Sequence, residues 1–458
     1  MVTAAVPIPP SRDVRPHRFD YYYRAGMDLR LAPMRARSTT ALWDFPRRQL
    51  TSPWMHWQQE PVATRSTRLM VDHLWQGDEQ MDAVVQAFRR VGMAEGRAML
   101  DAALDDGIGS VLDPPAELVA LFDRLDNPPQ WYDPAVWERG RQLWINASFA
   151  GKTAMLALDI LATFVGAEVS SATGATGRLV NDFVRRTFET NTWFLNATRA
   201  GGMDRYSPVF KDTVRVRLMH SQARAGLRKS WGDEHFEQHG NPISNGTMMG
   251  AATNFGLMPL LADHAYGRRC STDDLDAVMT YWSYIAYVFG VAEELIPRSG
   301  AEAIEMFDYI GAYTGGPTEW TGVMAGAADS ALDNTSGVRG LLSRAAVGPM
   351  LGALAYFAGE PLVRALTKTT SVAEVNLRPW IALTGLTVKA NIVTRRVLDR
   401  FPFAEQRMIR RARRSDLFWN LNVRFAKALA ARQDIHTTPY DHHDATAHTP
   451  AGCPIGMN

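Results

Sequence analysis

The sequence predicts an all-α protein built as one large helical domain. Apolar residues recur three and four positions apart through most of the chain, and the apolar/polar alternation of strands is nearly absent. The composition, 46% apolar and 21% charged, is that of a chain with a sizeable core. Three domains of ordinary size would also fit 458 residues. No internal repeat divides the chain, however, and a single helical body of this length can bury over two thirds of its surface. With 49 Lys and Arg against 48 Asp and Glu, the net charge of +1 excludes a disordered chain or a supercharged nucleic-acid binder. Cys270 and Cys453 are the two cysteines, which excludes a disulfide scaffold, a Cys-based zinc ribbon and an iron–sulfur cluster. A redox metal here would need another kind of ligand.

In chain order, residues 1–60 are rich in Pro, Arg and aromatics and form an extended leader wrapped on a domain spanning 61–431. Helical periodicity runs over 77–105 and 115–126, and almost continuously from 135 to 200. GGMDRYSPVF at 201–210 is a loop, 211–229 a helix, and the Gly/Asn-rich 231–262 is mixed. Helices resume over 273–296, 301–310, 342–357, 371–398 and 402–431, with GAYTGGPTEW at 311–320 as a loop. The tail 432–458 holds His436, His442, His443 and His448 and reads as a flexible polar terminus. The first residues lack the basic and apolar regions of a signal peptide. The apolar stretches 153–169, 279–297 and 343–359 are too short or too charged to span a bilayer. The expectation is a cytoplasmic protein without a transmembrane segment, with surface contact to a membrane left open.

Polar residues on apolar helix faces mark the candidate site. In RLVNDFVRRTFETNTWFL (178–195), Leu179, Phe183, Arg186, Thr190 and Phe194 share one face. A guanidinium there needs a carboxylate partner or an anionic ligand. The plainer reading pairs Arg186 with a core carboxylate and bonds Thr190 to its own helix carbonyl. In KDTVRVRLMHSQARAGLRK (211–229), His220 lies on a stripe with Val216, Ala223 and Leu227, and Arg217 and Arg224 adjoin it. His220 is either a satisfied core histidine or a neutral imidazole ligating a metal or haem iron. In the second case the arginines are placed to meet anionic groups such as haem propionates.

Other motifs carry less. His235 and His239 are four apart, but DEHFEQHG lacks the order of a zinc protease helix. No dinucleotide fingerprint, phosphate loop or nucleophile elbow is present. RMIRRARR (407–414) is strongly basic, and a solvated helix face explains it better than nucleic acid does.

Taken together, TGRLVNDFVRRTFET (176–190), VRVRLMHSQARAGL (214–227), HGNPISN (239–245) and YWSYIAYVFGVAEELIP (281–297) resemble the b-type haem oxygenase superfamily of the latex clearing proteins. That superfamily includes rubber oxygenase and the MpaB-like proteins. The resemblance implies a globin-like helical core around one haem b. It implies His220 as the iron ligand and Arg186 and Thr190 beside the distal pocket, and Arg224 also matches a motif position. It implies an oxidoreductase, in the first place an oxygenase, using O2 on an apolar, isoprenoid-like or lipid-like small molecule. Peroxidase-like or dehydrogenase-like turnover, or a non-catalytic haem-binding protein, are the alternatives. Two departures stand out. Rubber-cleaving members carry lysine immediately before the threonine, where this chain has Glu189. Their catalytic glutamate lies some 20 residues before the threonine, where Glu168 is the nearest candidate.

Overall fold

Twelve of the seventeen residues of the Thr272–Val288 helix are buried, and the rest of the chain is arranged around it. The computed structural model describes residues 22–333, 337–433 and 435; His436, His442, His443, His448 and Cys453 lie outside the described residues. Among the described residues there are twenty α-helices, five 3-10 turns and no strand, so the all-α expectation holds.

The central helix packs against Pro134–Ile145 on one side and Asn245–Ala265 on another, and the latter packs in turn on Phe149–Val165. Gly140 makes the first approach feasible, since a Cβ there would overlap the Ala277 carbonyl. Aromatic rings fill the junction. Trp419 stacks on Phe194 at 4.4 Å and 6°, and Trp144 lies 6.5 Å from both and nearly parallel to them. Trp419 thereby docks the Leu417–Arg432 helix onto Phe183–Ala197. The buried ion pair of Lys152 with Asp416 ties the same helix to Phe149–Val165, and Lys152 Nζ also donates to the Ile145 carbonyl at 2.7 Å.

Several boundaries differ from the sequence reading, each for a local reason. The 77–105 segment is two helices, Glu79–Val91 and Met93–Asp106, because Gly92 takes φ 109° between them. The 178–195 segment breaks at Asp182, giving Arg178–Asn181 and Phe183–Ala197. The Gly/Asn-rich 231–262 region is mostly helical. The Pro208–His239 helix kinks at Gly232 (φ 75°), and Asn245–Ala265 follows with Ser244 as its cap. Its small residues serve close packing; a Cβ at Gly246 would overlap the Met70 carbonyl. Residues 22–60 are not uniformly extended. They hold the Asp44–Thr51 helix and two 3-10 turns. Arg30 is buried against Asp72, and Arg47 pairs with Asp308 at 3.0 Å. Among the described residues no single helix is long and apolar enough to cross a membrane. The helices Pro134–Ile145 and Phe149–Val165 would reach that length together but are bent by 92°.

Candidate active site

The Pro208–His239 helix carries two faces of different character. Ser207 caps it by accepting from the Phe210 amide at 3.2 Å, and Pro208 opens its first turn. One face, with Val214, Arg217, Ser221, Arg224 and Leu227, is buried. The adjoining face, with Val216, Met219, His220 and Ala223, keeps accessible surface.

The buried face is built on carboxylates that the sequence reading did not single out. Asp78 caps the Glu79–Val91 helix, accepting from the Met81 amide at 3.2 Å, and Asp82 lies one turn on. Arg217 grips Asp78 with both Nε and Nη2, the latter at 2.8 Å. Arg224 pairs with Asp82 and donates to Ser221 Oγ at 3.0 Å and the Ile243 carbonyl at 3.0 Å. Gly77 and Gly290 let backbone pass over these pairs. A Cβ on Gly77 would overlap Arg224 and Asp82, and one on Gly290 would overlap Asp78 and Arg217. Burial pushes the Asp78 carboxyl up, but the charge and hydrogen bond of Arg217 outweigh it and hold the group below the carboxylate range. For Asp82 burial wins over Arg224, and its carboxyl is raised. The two arginines that the sequence reading reserved for an anionic ligand are thus already committed to protein carboxylates. The only early signal was two aspartates four apart at a helix start.

His220 has the opposite status. Among the described residues neither ring nitrogen has a hydrogen-bond partner, and the ring faces Phe289 at 6.1 Å. Burial, then the charges of Arg224 and Arg186, push its pKa down to about 3, so the ring is neutral at ordinary pH.

Arg186 and Thr190 share that half-exposed character, one turn apart on Phe183–Ala197. Thr187 bonds back to the Phe183 carbonyl at 2.8 Å, whereas the Thr190 hydroxyl has no partner among the described residues. Arg186 makes one long contact, Nη1 to Glu189 Oε2 at 3.6 Å. Glu189 is the buried member of the trio, with 4% of its side chain exposed. Arg185 lies at 3.3 Å and Arg178 at 3.6 Å from it. Arg178 also reaches Met219 Sδ, beside His220, at 3.2 Å.

Glu168 opens the Ala167–Ala175 helix and lines a separate pocket with Met70, Leu74, His239, Thr247 and Tyr309. His220, Arg186 and Thr190 are not among its lining residues. Burial pushes its pKa up to about 7 against the pull of Thr247 and Ser244, and Oε1 is buried without a hydrogen-bond partner. Asp159, which the sequence reading treated only as an interruption of an apolar helix, is likewise unpaired among the described residues. Burial alone pushes it up to about 7. An acid in the middle of TAMLALDILATFV was the available signal.

The family of the ER-bound oxygenase mpaB/B' and rubber oxygenase, catalytic domain, matches residues 137–390. The chain belongs to this oxygenase family. The matched span contains His220, Arg186, Glu189, Thr190 and Glu168. The chain is similar to the rubber oxygenase of Streptomyces sp. (strain K30), with 24% identity over 352 residues, 70% of this chain and 80% of that protein. A solved structure of the latex clearing protein LCP in the closed state matches with a TM-score of 0.53 at 15% identity. It covers 81% of this chain and 95% of that one, a likeness that shows the fold. Membership implies oxidoreductase activity of the oxygenase type.

Proposed function

We propose that this chain is a haem b-dependent oxygenase that uses O2 on an apolar, lipid-like small molecule, within a globin-like helical core. The observation that carries the reading is His220: a neutral imidazole with no hydrogen-bond partner on either ring nitrogen among the described residues, on a helix whose other face is locked by ion pairs. Such a ring offers a lone pair to iron without first losing a proton. When bound, haem b would supply an iron centre able to activate O2.

The remaining roles belong to the chain. The Asp78–Arg217 and Asp82–Arg224 pairs hold the helix in register, so His220 keeps its direction. Arg186 keeps donors to spare and Thr190 keeps its hydroxyl, so both can orient a polar group of a ligand. Glu189 neutralises part of the arginine cluster and keeps Arg186 in place. The Glu168 carboxyl, poised near neutrality, can hold or release a proton at Oε1. The half-buried Leu156 and Ile160 flank Asp159 and offer apolar surface to a hydrocarbon.

The test is the visible spectrum of the purified chain. A Soret band near about 400 nm after haem supplementation, lost in His220→Ala, is the expected result. Its absence from the parent protein rejects haem, and an unchanged band in His220→Ala rejects His220 as ligand. Incorporation of isotopic oxygen into product separates oxygenation from peroxidase-like or dehydrogenase-like turnover. Glu189 in place of the lysine of rubber-cleaving relatives favours a substrate other than polyisoprene.

A further inference from the structure

Among the described residues, nine of the twenty-one exposed large apolar side chains fall between Leu383 and Phe425. On Arg378–Asp399, Leu383, Leu386, Val393 and Val397 are all exposed, Leu386 at 66%, and Phe401 continues the row. With Ala390, also exposed, their spacings of three and four place them on one stripe, turned away from the helix's buried residues Val388 and Ile392. Leu417, Leu421 and Phe425 form a second exposed row, at steps of four, on Leu417–Arg432.

The turn after Pro134–Ile145 ties together the helices that carry the two rows. Arg395 donates to the Asn146 carbonyl, the Asn146 amide donates to the Met408 carbonyl at 3.1 Å, and the Ala150 amide donates to Asn391 Oδ1 at 3.1 Å. Phe149, itself exposed, packs its ring on Phe418 at 5.1 Å. All three C-terminal helices therefore dock on residues 146–150, where Phe149 is exposed.

Charge singles out the partner. Residues 378–432 contain thirteen Lys and Arg and three Asp and Glu, a formal +10 in a chain whose total is +1. Asp416 is spent on the buried Lys152, and Asp399 pairs with Arg268. A second copy would set +10 against +10 across the contact. An anionic bilayer surface supplies both an opposite charge and an apolar phase for the exposed side chains. We propose that the face formed by residues 378–432 with Phe149 binds the surface of an anionic phospholipid membrane. The proposal is independent of the haem reading.

The experiment is flotation of the full-length chain with vesicles of phosphatidylcholine, with and without phosphatidylglycerol. Partitioning roughly ten-fold stronger onto the anionic vesicles, weakening as salt rises, is expected. The double substitution L386D with V393D, at two exposed positions, should reduce binding to the neutral-vesicle level while the far-ultraviolet circular dichroism stays unchanged. R413A with R414A should reduce the anionic preference alone. A parent chain that binds neither vesicle, or an L386D/V393D chain that binds as the parent does, overturns the proposal. A dimer in light scattering that the same aspartates dissociate, with vesicles left unbound, assigns the face to self-association instead. The Soret test is unaffected by any of these outcomes.

Discussion

Arg217 Nη2 lies 2.8 Å from Asp78 Oδ1, and its Nε reaches the other carboxylate oxygen, in an ion pair whose side chains are 1% and 6% exposed. The pair joins the start of Glu79–Val91 to the middle of Pro208–His239, three residues before His220. Removing one partner leaves the other charged and buried. Asp78→Ala is expected to destabilise by about 3–5 kcal/mol in chemical denaturation. Combining Asp78→Leu with Arg217→Met should recover most of that loss, because no charge is then stranded. A double substitution as unstable as the single one would contradict this account.

Gly290 has φ 88° and sits over the same pair. Gly290→Ala meets both a strained backbone and an overlap with Asp78 and Arg217. It should destabilise the fold as a core defect does, by about 2 kcal/mol or more, read as a lower melting temperature. An unchanged melting curve would mean that the backbone can withdraw from the pair.

Glu189 is buried among Arg178, Arg185 and Arg186. Glu189→Gln keeps the shape and loses the charge, so a cost of about 1–3 kcal/mol is expected. Glu189→Lys adds a fourth cation to the cluster and should cost more than the glutamine. Thermal melts of both variants check the order. A lysine variant as stable as the parent would show that the arginines reorient freely.

Asp159 and Glu168 are held near a pKa of 7 by burial, well above carboxyls in an unfolded chain. The folded protein therefore binds more protons than the unfolded one between about pH 4 and 7, and stability falls as pH rises through that window. Asp159→Asn and Glu168→Gln remove the penalty. Each should raise the melting temperature at pH 8 and change it little at pH 4. Equal shifts at both pH values would rule out titration as the cause.

Much of the fold was legible because helix periodicity is local. Stretches such as 273–296 and 115–126 were found within a few residues of Thr272–Val288 and Ala116–Asp126. The Gly/Asn-rich 231–262 region was misread because its small residues look like loop chemistry, yet glycines such as Gly246 serve close packing inside a helix. At the site, His220, Arg186 and Thr190 stood out as polar residues on apolar stripes. Asp78 and Asp82 did not, because their partners lie 139 and 142 positions away.

By itself, the sequence determined the helical class, the family motifs and the identity of the polar residues on apolar faces. These depend on spacing within one helix, which chain chemistry dictates without reference to distant segments. Only the tertiary structure decided which arginines were already neutralised and which histidine has no hydrogen-bond partner among the described residues. It alone tied the helices that carry the exposed apolar rows to one segment, residues 146–150. Ion pairing and desolvation depend on what packs opposite a residue, and that is set by segments far away in the chain.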